Sequence, residues 1–162
     1  ALITTPLLRE FLNLASRQSN DWANQLVSRI GGVTEEEAPQ CWTMSVTPGE
    51  APALYLALGK KQDVQLGELY RDPRLREDRL YCFPLLLARD DEYLLVPADD
   101  VAVKPGDRIL FCGRVDAARE MAWIARQPDV LRYVLTGEEH PSTLLGRLFA
   151  SRRAEESEAH SG

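Results

Sequence analysis

YCFPLLLARDDEYLLVPADDVAVKPGDRILFCGRVDAAREM, residues 81–121, decides how the chain folds. Tyr81 to Ala88 is an apolar run of strand length, and Pro84 inside it argues for an edge position or a bulge. Asp90-Asp91-Glu92 turns the chain, and Tyr93 to Val96 returns as the partner strand. The corner Lys104-Pro105-Gly106 introduces a third strand, Asp107 to Cys112. Asp116 is then placed to cap a helix with Ala117, Ala118, Met121, Ile124 and Ala125 on its inward face, and Pro128 closes it.

Upstream, Cys41 to Val46 alternates as a half-buried strand with Trp42, Met44 and Val46 on one face, and Pro48-Gly49 ends it. Ala53 to Leu58 fits a strand or a short helix; Pro52 in front, Gly59 behind and the Ala/Leu content favour the helix. Asp63 is positioned to cap a further short helix carrying Leu66, Leu69 and Tyr70, which Pro73 stops. At the start, Thr5-Pro6 opens a helix with Leu8, Phe11, Leu12 and Ala15 at i, i+3, i+4 and i+7. A second stripe, Trp22, Ala23, Leu26 and Ile30, stays nearly in phase with it. One long helix bent near Ser19-Asn20 and two helices fit equally. Their apolar face packs either within the chain or across to another lobe or subunit. Downstream, Val130 to Leu135 reads as one more strand, Ser142 starts a helix through Leu145, Leu148 and Phe149, and the small, charged residues from Ser151 read as a disordered tail.

The chain has 162 residues, enough for one domain with its own core. Its formal charge of −6, with no basic stripe, argues against nucleic acid as a partner, because phosphate neutralisation supplies most of that affinity. No apolar run approaches the roughly 18–20 residues of a membrane span. The beginning lacks an initiator Met and the basic and apolar regions of a signal peptide, and reads as a cut through a larger protein. Cys41, Cys82 and Cys112 form no CxxC pair, and each sits in an apolar strand, so they are expected as reduced core residues of a cytosolic protein.

Signatures of chemistry are absent: the sequence has no GxSxG, HExxH, GxxxxGK[ST] or GxGxxG. His140 reads as an exposed loop residue, His160 as incidental, and the acidic run Glu35-Glu36-Glu37 as solvated. The acids lie in turns and on polar faces, where nothing pushes their pKa, so the chain is read as non-enzymatic with no metal site. Arg71-Asp72-Pro73-Arg74-Leu75-Arg76-Glu77-Asp78-Arg79 mixes arginines with acids. A guanidinium fork suits carboxylate or phosphate, which makes Arg76, Arg79 and Arg89 the candidate ligand contacts. Mutual pairing on a solvated surface is the competing reading for the first two, and a hairpin salt bridge for Arg89.

The ordered set LLLAR with Asp90, LLVP, Asp99-Asp100, KPGD, RILFCG and Asp116 resembles the C-terminal domain of TrkA-type proteins, the C-lobe of regulator-of-conductance-of-potassium domains. VQLGELYRDP, residues 64–73, is similar to the family's short helix before the first hairpin strand, and PLLREFLNLAS, residues 6–16, to the crossover helix that leaves its nucleotide-binding lobe. The resemblance runs from Cys41 to Arg126. The segment Pro48 to Lys61 and everything after Pro128 depart from the pattern.

The resemblance implies an α+β fold: a small β-sheet lobe with helices packed on it, in β-α-hairpin-β-α order, preceded by a long amphipathic crossover helix. The expected division is a crossover and dimerisation region at 1–33, the lobe at 40–127, a strand-helix extension at 128–150 and the tail at 151–162. It further implies a regulatory, ligand-sensing part of a potassium channel or potassium transport protein, at the cytoplasmic face of the inner membrane. The pore or transporter portion is then a partner, and the Rossmann lobe lies outside this chain. This fragment carries no cofactor of its own; any nucleotide belongs to that Rossmann lobe. The chain is expected to form a homodimer through Leu8, Phe11, Leu12, Trp22 and Leu26, and Pro105, Gly106 and Asp107 form the fold-signature turn. The effector is not identified. A constitutive oligomerisation scaffold without ligand is the alternative, and a small carboxylate-dependent hydrolase or lyase a third reading.

Overall fold

A computed structural model describes residues 6–18, 24, 26 and 39–138. The expected α+β class is what forms. Strand β1 (Gln40–Ser45) is followed by helix α2 (Pro52–Gly59) and a 3-10 turn (Leu66–Tyr70). The hairpin β2 (Cys82–Arg89) and β3 (Glu92–Leu95) comes next, then β4 (Arg108–Gly113), α3 (Val115–Arg126) and α4 (Pro128–Thr136), with α1 (Pro6–Ala15) ahead of them all. The four strands make one antiparallel sheet in the order β1-β4-β2-β3. Among the described residues no helix is long and apolar enough to cross a membrane.

Helices cover both faces of this sheet, which explains the unbroken apolar run of β2. Met44, Val46, Leu87, Ile109 and Phe111 face a core shared with Leu54, Leu66, Leu69, Met121, Ile124, Leu131 and Val134. Phe83, Leu85, Leu86, Ala88 and Leu110 face the opposite way and bury Leu7, Phe11 and Ala15 of α1. A strand buried on both faces has no reason to alternate with polar residues. Pro84 belongs to this inner strand and not to an edge. Its missing N–H is accommodated by a bulge, seen as a register shift between Pro84 and Leu86. The hairpin turn puts Asp90 at φ +51°, a left-handed conformation that Asp tolerates better than most residues.

Several expectations are corrected. Val130 to Leu135 is not a strand but most of α4, opened by Pro128 at its first turn and ended by Gly137 at φ +78°. Leu131 and Val134 are buried at helical spacing, in the same core as the lobe. Pro128 thus closes one helix and starts the next. Asp63 does not cap the 3-10 turn: Gln65 does, in a capping box with Glu68, whose Oε2 accepts from Gln65 N at 2.8 Å. Arg114, not Asp116, occupies the N-cap of α3, and Asp116 lies in the first turn, where it suits the helix dipole. In α1 the buried stripe is Leu7, Phe11 and Ala15, while Leu12 is 55% exposed. The helix ends at Ala15 with a turn at Ser16-Arg17, ahead of the expected bend, and Asn24 and Leu26 are again helical. Cys41 is exposed and Cys112 half-exposed; only Cys82 is a core thiol. Trp22, the Ser142 helix, Glu35 to Glu37, both histidines and the tail lie outside the described residues.

Candidate functional site: an edge groove and three paired arginines

The Lys-Pro-Gly-Asp corner is locked by the arginine that ends β2. Gly106, at φ +86°, reverses the chain and delivers Asp107 into the interior, where it is fully buried. Arg89 Nε and Nη2 donate to Asp107 Oδ1 and Oδ2, both at 2.8 Å, a bidentate fork. Lys104 N also donates to Oδ2 at 2.8 Å, and Arg89 Nη2 to Ala102 O at 2.8 Å. The Asp107 carboxylate raises the Arg89 pKa further. Arg89 therefore makes a salt bridge, but to the corner residue across the sheet and not within its hairpin. Pro105, Gly106 and Asp107 and the end of β2 are one structural unit.

The other candidate arginines also have partners within the chain. Arg79 pairs with Asp99 at 2.5 Å, and Tyr70 Oη donates to the other oxygen of the same carboxylate. The Arg79 guanidinium lies 5.4 Å from the Tyr70 ring centroid, and the hydrogen bond it donates to Asp99 raises its pKa. Arg76 reaches α4, donating from Nε to Val134 O at 2.9 Å and from Nη2 to Leu135 O at 3.2 Å. Those are carbonyls the end of a helix leaves unpaired, and a cation there complements the dipole. Arg74 pairs with Glu120 of α3 at 2.5 Å. The run of arginines thus fastens the segment before β2 to α3, α4 and the Asp99 turn.

Concave surface remains beside β1. A groove of about 360 Å³ runs between this strand and α3, floored by Trp42, Met44 and Met121 and walled by Ala118, Ala122 and Ala125. Three alanines on one face of α3 hold the helix side chains short of the strand, which leaves the space. Glu50 and Arg126 line it too, and Glu50 Oε2 accepts from Ser45 N at 3.0 Å. Trp42 stacks on its register partner Phe111 at 5.9 Å and 19°, yet its indole Nε1 is buried with no hydrogen-bond partner. An orphaned buried donor costs about 1–3 kcal/mol. Sequence reading missed this groove. Its signal was the Ala118/Ala122/Ala125 spacing, but only the fold sets Trp42 opposite.

A smaller concavity of about 120 Å³ is bordered by Asp72, Asp116 and Glu120 together with Arg74 and Arg79. Its acids already have tasks: Asp72 Oδ1 accepts from Arg74 N at 2.8 Å, Asp116 Oδ1 from Ala117 N at 2.9 Å, and Glu120 from Arg74. Among the described residues no three His, Cys, Asp or Glu side chains gather as metal ligands would. No protein-family model matches this chain, and no curated protein matches it.

Proposed function

We propose that this chain is the regulatory lobe of a potassium channel or potassium transport protein, a dimerising domain that senses a small-molecule or ionic effector and carries no catalysis. The observation that carries the reading is the order β1, α2, hairpin, β4, α3 on one sheet, the order the C-lobe resemblance implies. The Arg89–Asp107 lock ties together the two most distinctive parts of that resemblance, the Arg-ended strand and the Lys-Pro-Gly-Asp corner. Two surfaces suit a neighbour. Leu12 projects outward from α1 while Phe11 and Leu7 anchor the helix to its own sheet. Strand β1 is an edge, QCWTMS, with no charge or proline to discourage pairing. The groove behind it, floored by Trp42, Met44 and Met121, is where an effector would sit.

Effector binding and gating couple when the effector prefers one arrangement of neighbours over another, typically by about 1–3 kcal/mol. The test is a thermal-shift screen over nucleotides, divalent cations and amino acids, repeated with Ala122→Phe to fill the groove. A stabilising hit abolished by that substitution is expected. A hit that survives it places the site elsewhere. Sedimentation at raised concentration should give a dimer that Leu12→Glu dissociates without unfolding the domain; a monomeric wild type would end the dimer reading.

A specific observation favours the alternative of a ligand-free assembly scaffold: Arg76, Arg79 and Arg89 all bond within the chain. Under that reading the dimer forms and every compound in the screen fails to shift the melting temperature.

A further inference from the structure

Cys41 and Cys112 stand directly opposite each other on β1 and β4. The phase of the ladder fixes what kind of pair they are. Val46 N donates to Asp107 O, its opposite residue, at 2.8 Å. Hydrogen-bonded and non-hydrogen-bonded pairs alternate along an antiparallel ladder, so 44/109 and 42/111 share the character of 46/107, and 41/112 does not. A non-hydrogen-bonded pair brings Cα atoms to about 4.5 Å with the side chains at their closest, inside the range of about 4.4–6.8 Å that a disulfide spans. Each thiol is the other's strongest electrostatic neighbour. Both have access to solvent, Cys41 the more, on the side of the sheet that carries α1.

Their chemistry is divided. The Cys112 thiol, donating to Cys41, lowers the Cys41 pKa to about 7, against a smaller upward push from burial. The same hydrogen bond, with burial, drives Cys112 upward, so it keeps its proton. Cys82, one strand further on, points into the opposite core, and burial above all pushes it up to about 12. One thiolate, one adjacent thiol and one inert control thus share a small patch of sheet.

We infer that Cys41 and Cys112 are a reversible oxidation site that takes hydroperoxides and closes a disulfide between β1 and β4. The Cys41 thiolate attacks the terminal peroxide oxygen; the O–O bond breaks and the alkoxide leaves, taking a proton from solvent. Cys41 is then a sulfenic acid. Cys112 Sγ attacks the Cys41 sulfur, forming the S–S bond and releasing water with the Cys112 proton. The dithiol loses two electrons, and the peroxide is reduced to one alcohol and one water. The bond fixes the first turn of the edge strand to the inner strand beside it.

The test treats the full chain with a small excess of hydrogen peroxide. Expected are a mass loss of about 2 Da, one crosslinked peptide joining Cys41 to Cys112, full recovery with dithiothreitol, and the same result in Cys82→Ser. In Cys112→Ser, peroxide should leave a sulfenic acid at Cys41 that dimedone traps. Wild-type protein that keeps all its thiols under peroxide while iodoacetamide still alkylates Cys41 would overturn the inference. So would an intermolecular Cys41–Cys41 link, or a crosslink containing Cys82.

Discussion

Replacing Arg89 by Ala removes both donors of the fork and leaves the Asp107 carboxylate buried with a single hydrogen bond, from Lys104 N. Asp107 has no exposed surface, whereas the Arg89 side chain keeps 28% of its own. The pair is therefore neither an exposed ion pair, worth about 0–1 kcal/mol, nor a fully buried one, whose breakage costs about 3–5 kcal/mol. Water can enter where the guanidinium was, so the lower part of the buried range applies, about 3 kcal/mol. For a domain of this size that is a fall in melting temperature of roughly 10 °C. Arg89→Lys keeps a charge but not the fork and should lose about half as much. Urea denaturation followed by tryptophan fluorescence measures it, with an unchanged m-value confirming that only stability has moved. The double-mutant cycle with Asp107→Ala should show a coupling of about 2 kcal/mol, because once the carboxylate is gone the arginine has nothing to neutralise. An Arg89→Ala domain within about 1 kcal/mol of wild type, or strictly additive mutants, would refute the buried-carboxylate argument.

Arg76→Ala should cost about 1 kcal/mol and speed amide exchange at residues 134–137, where its carbonyl contacts lie, while leaving the strands protected; a uniform rise in exchange would contradict the local role. Gly113→Ala would place a Cβ 2.3 Å from Tyr81 O and 2.5 Å from Cys82 Cβ, whereas a Cβ at Gly106 meets open space and suffers only from its φ of +86°. The first should abolish soluble expression, and the second should cost about 1–2 kcal/mol by thermal denaturation; the reverse ranking would mean the β2–β4 approach is looser than described. Cys82 stays a neutral thiol in the folded chain up to about pH 12, while in the unfolded chain it ionises near 8.5. Its folded pKa is raised, so its contribution is complete below pH 8.5 and disappears as pH rises towards 12. The stability of wild type relative to Cys82→Ala should fall over that window, by at most about 1.4 kcal/mol per pH unit, and a flat difference would show the thiol is not desolvated.

What was legible in the sequence was what local chemistry decides. The β2–β3 hairpin, the Gly106 corner and helix α3 follow from period, turn residues and proline placement within a few residues of each element, and they form as read. Val130 to Leu135 failed because a six-residue apolar run fits either a strand or a buried helix segment. Pro128 held the answer, since a proline that ends one helix is equally suited to begin another. The α1 face was misread by a fraction of a turn: Leu7 and Leu8 both fit the stripe, and only the sheet chooses Leu7. Arg89 was expected to bond locally because acids flank it, yet a carboxylate 18 residues away, delivered by the Gly106 turn, outcompeted them. The groove was out of reach. It consists of small side chains on one element facing a large ring on another, and nothing in either segment announces the other.

Strand β1 is where the functional readings meet, because successive residues on it look in opposite directions. Trp42 and Met44 face the groove and the main core; Cys41 faces the α1 side. The groove is lined by Trp42, Thr43 and Met44 but not by Cys41, so the peroxide reactivity of Cys41 should be indifferent to an effector held there. A partner strand pairing along the free edge is different, since its side chains flank β1 on both faces and crowd the Cys41 thiolate. The rate at which Cys41 is alkylated therefore separates a ligand in the groove, which leaves it unchanged, from edge-to-edge assembly, which slows it as protein concentration rises. Crosslinking to Cys112 acts on the same strand from the other side. It immobilises the end of β1 that an incoming strand would have to match in register, so oxidation should oppose assembly wherever β1 must shift to pair and leave groove binding untouched.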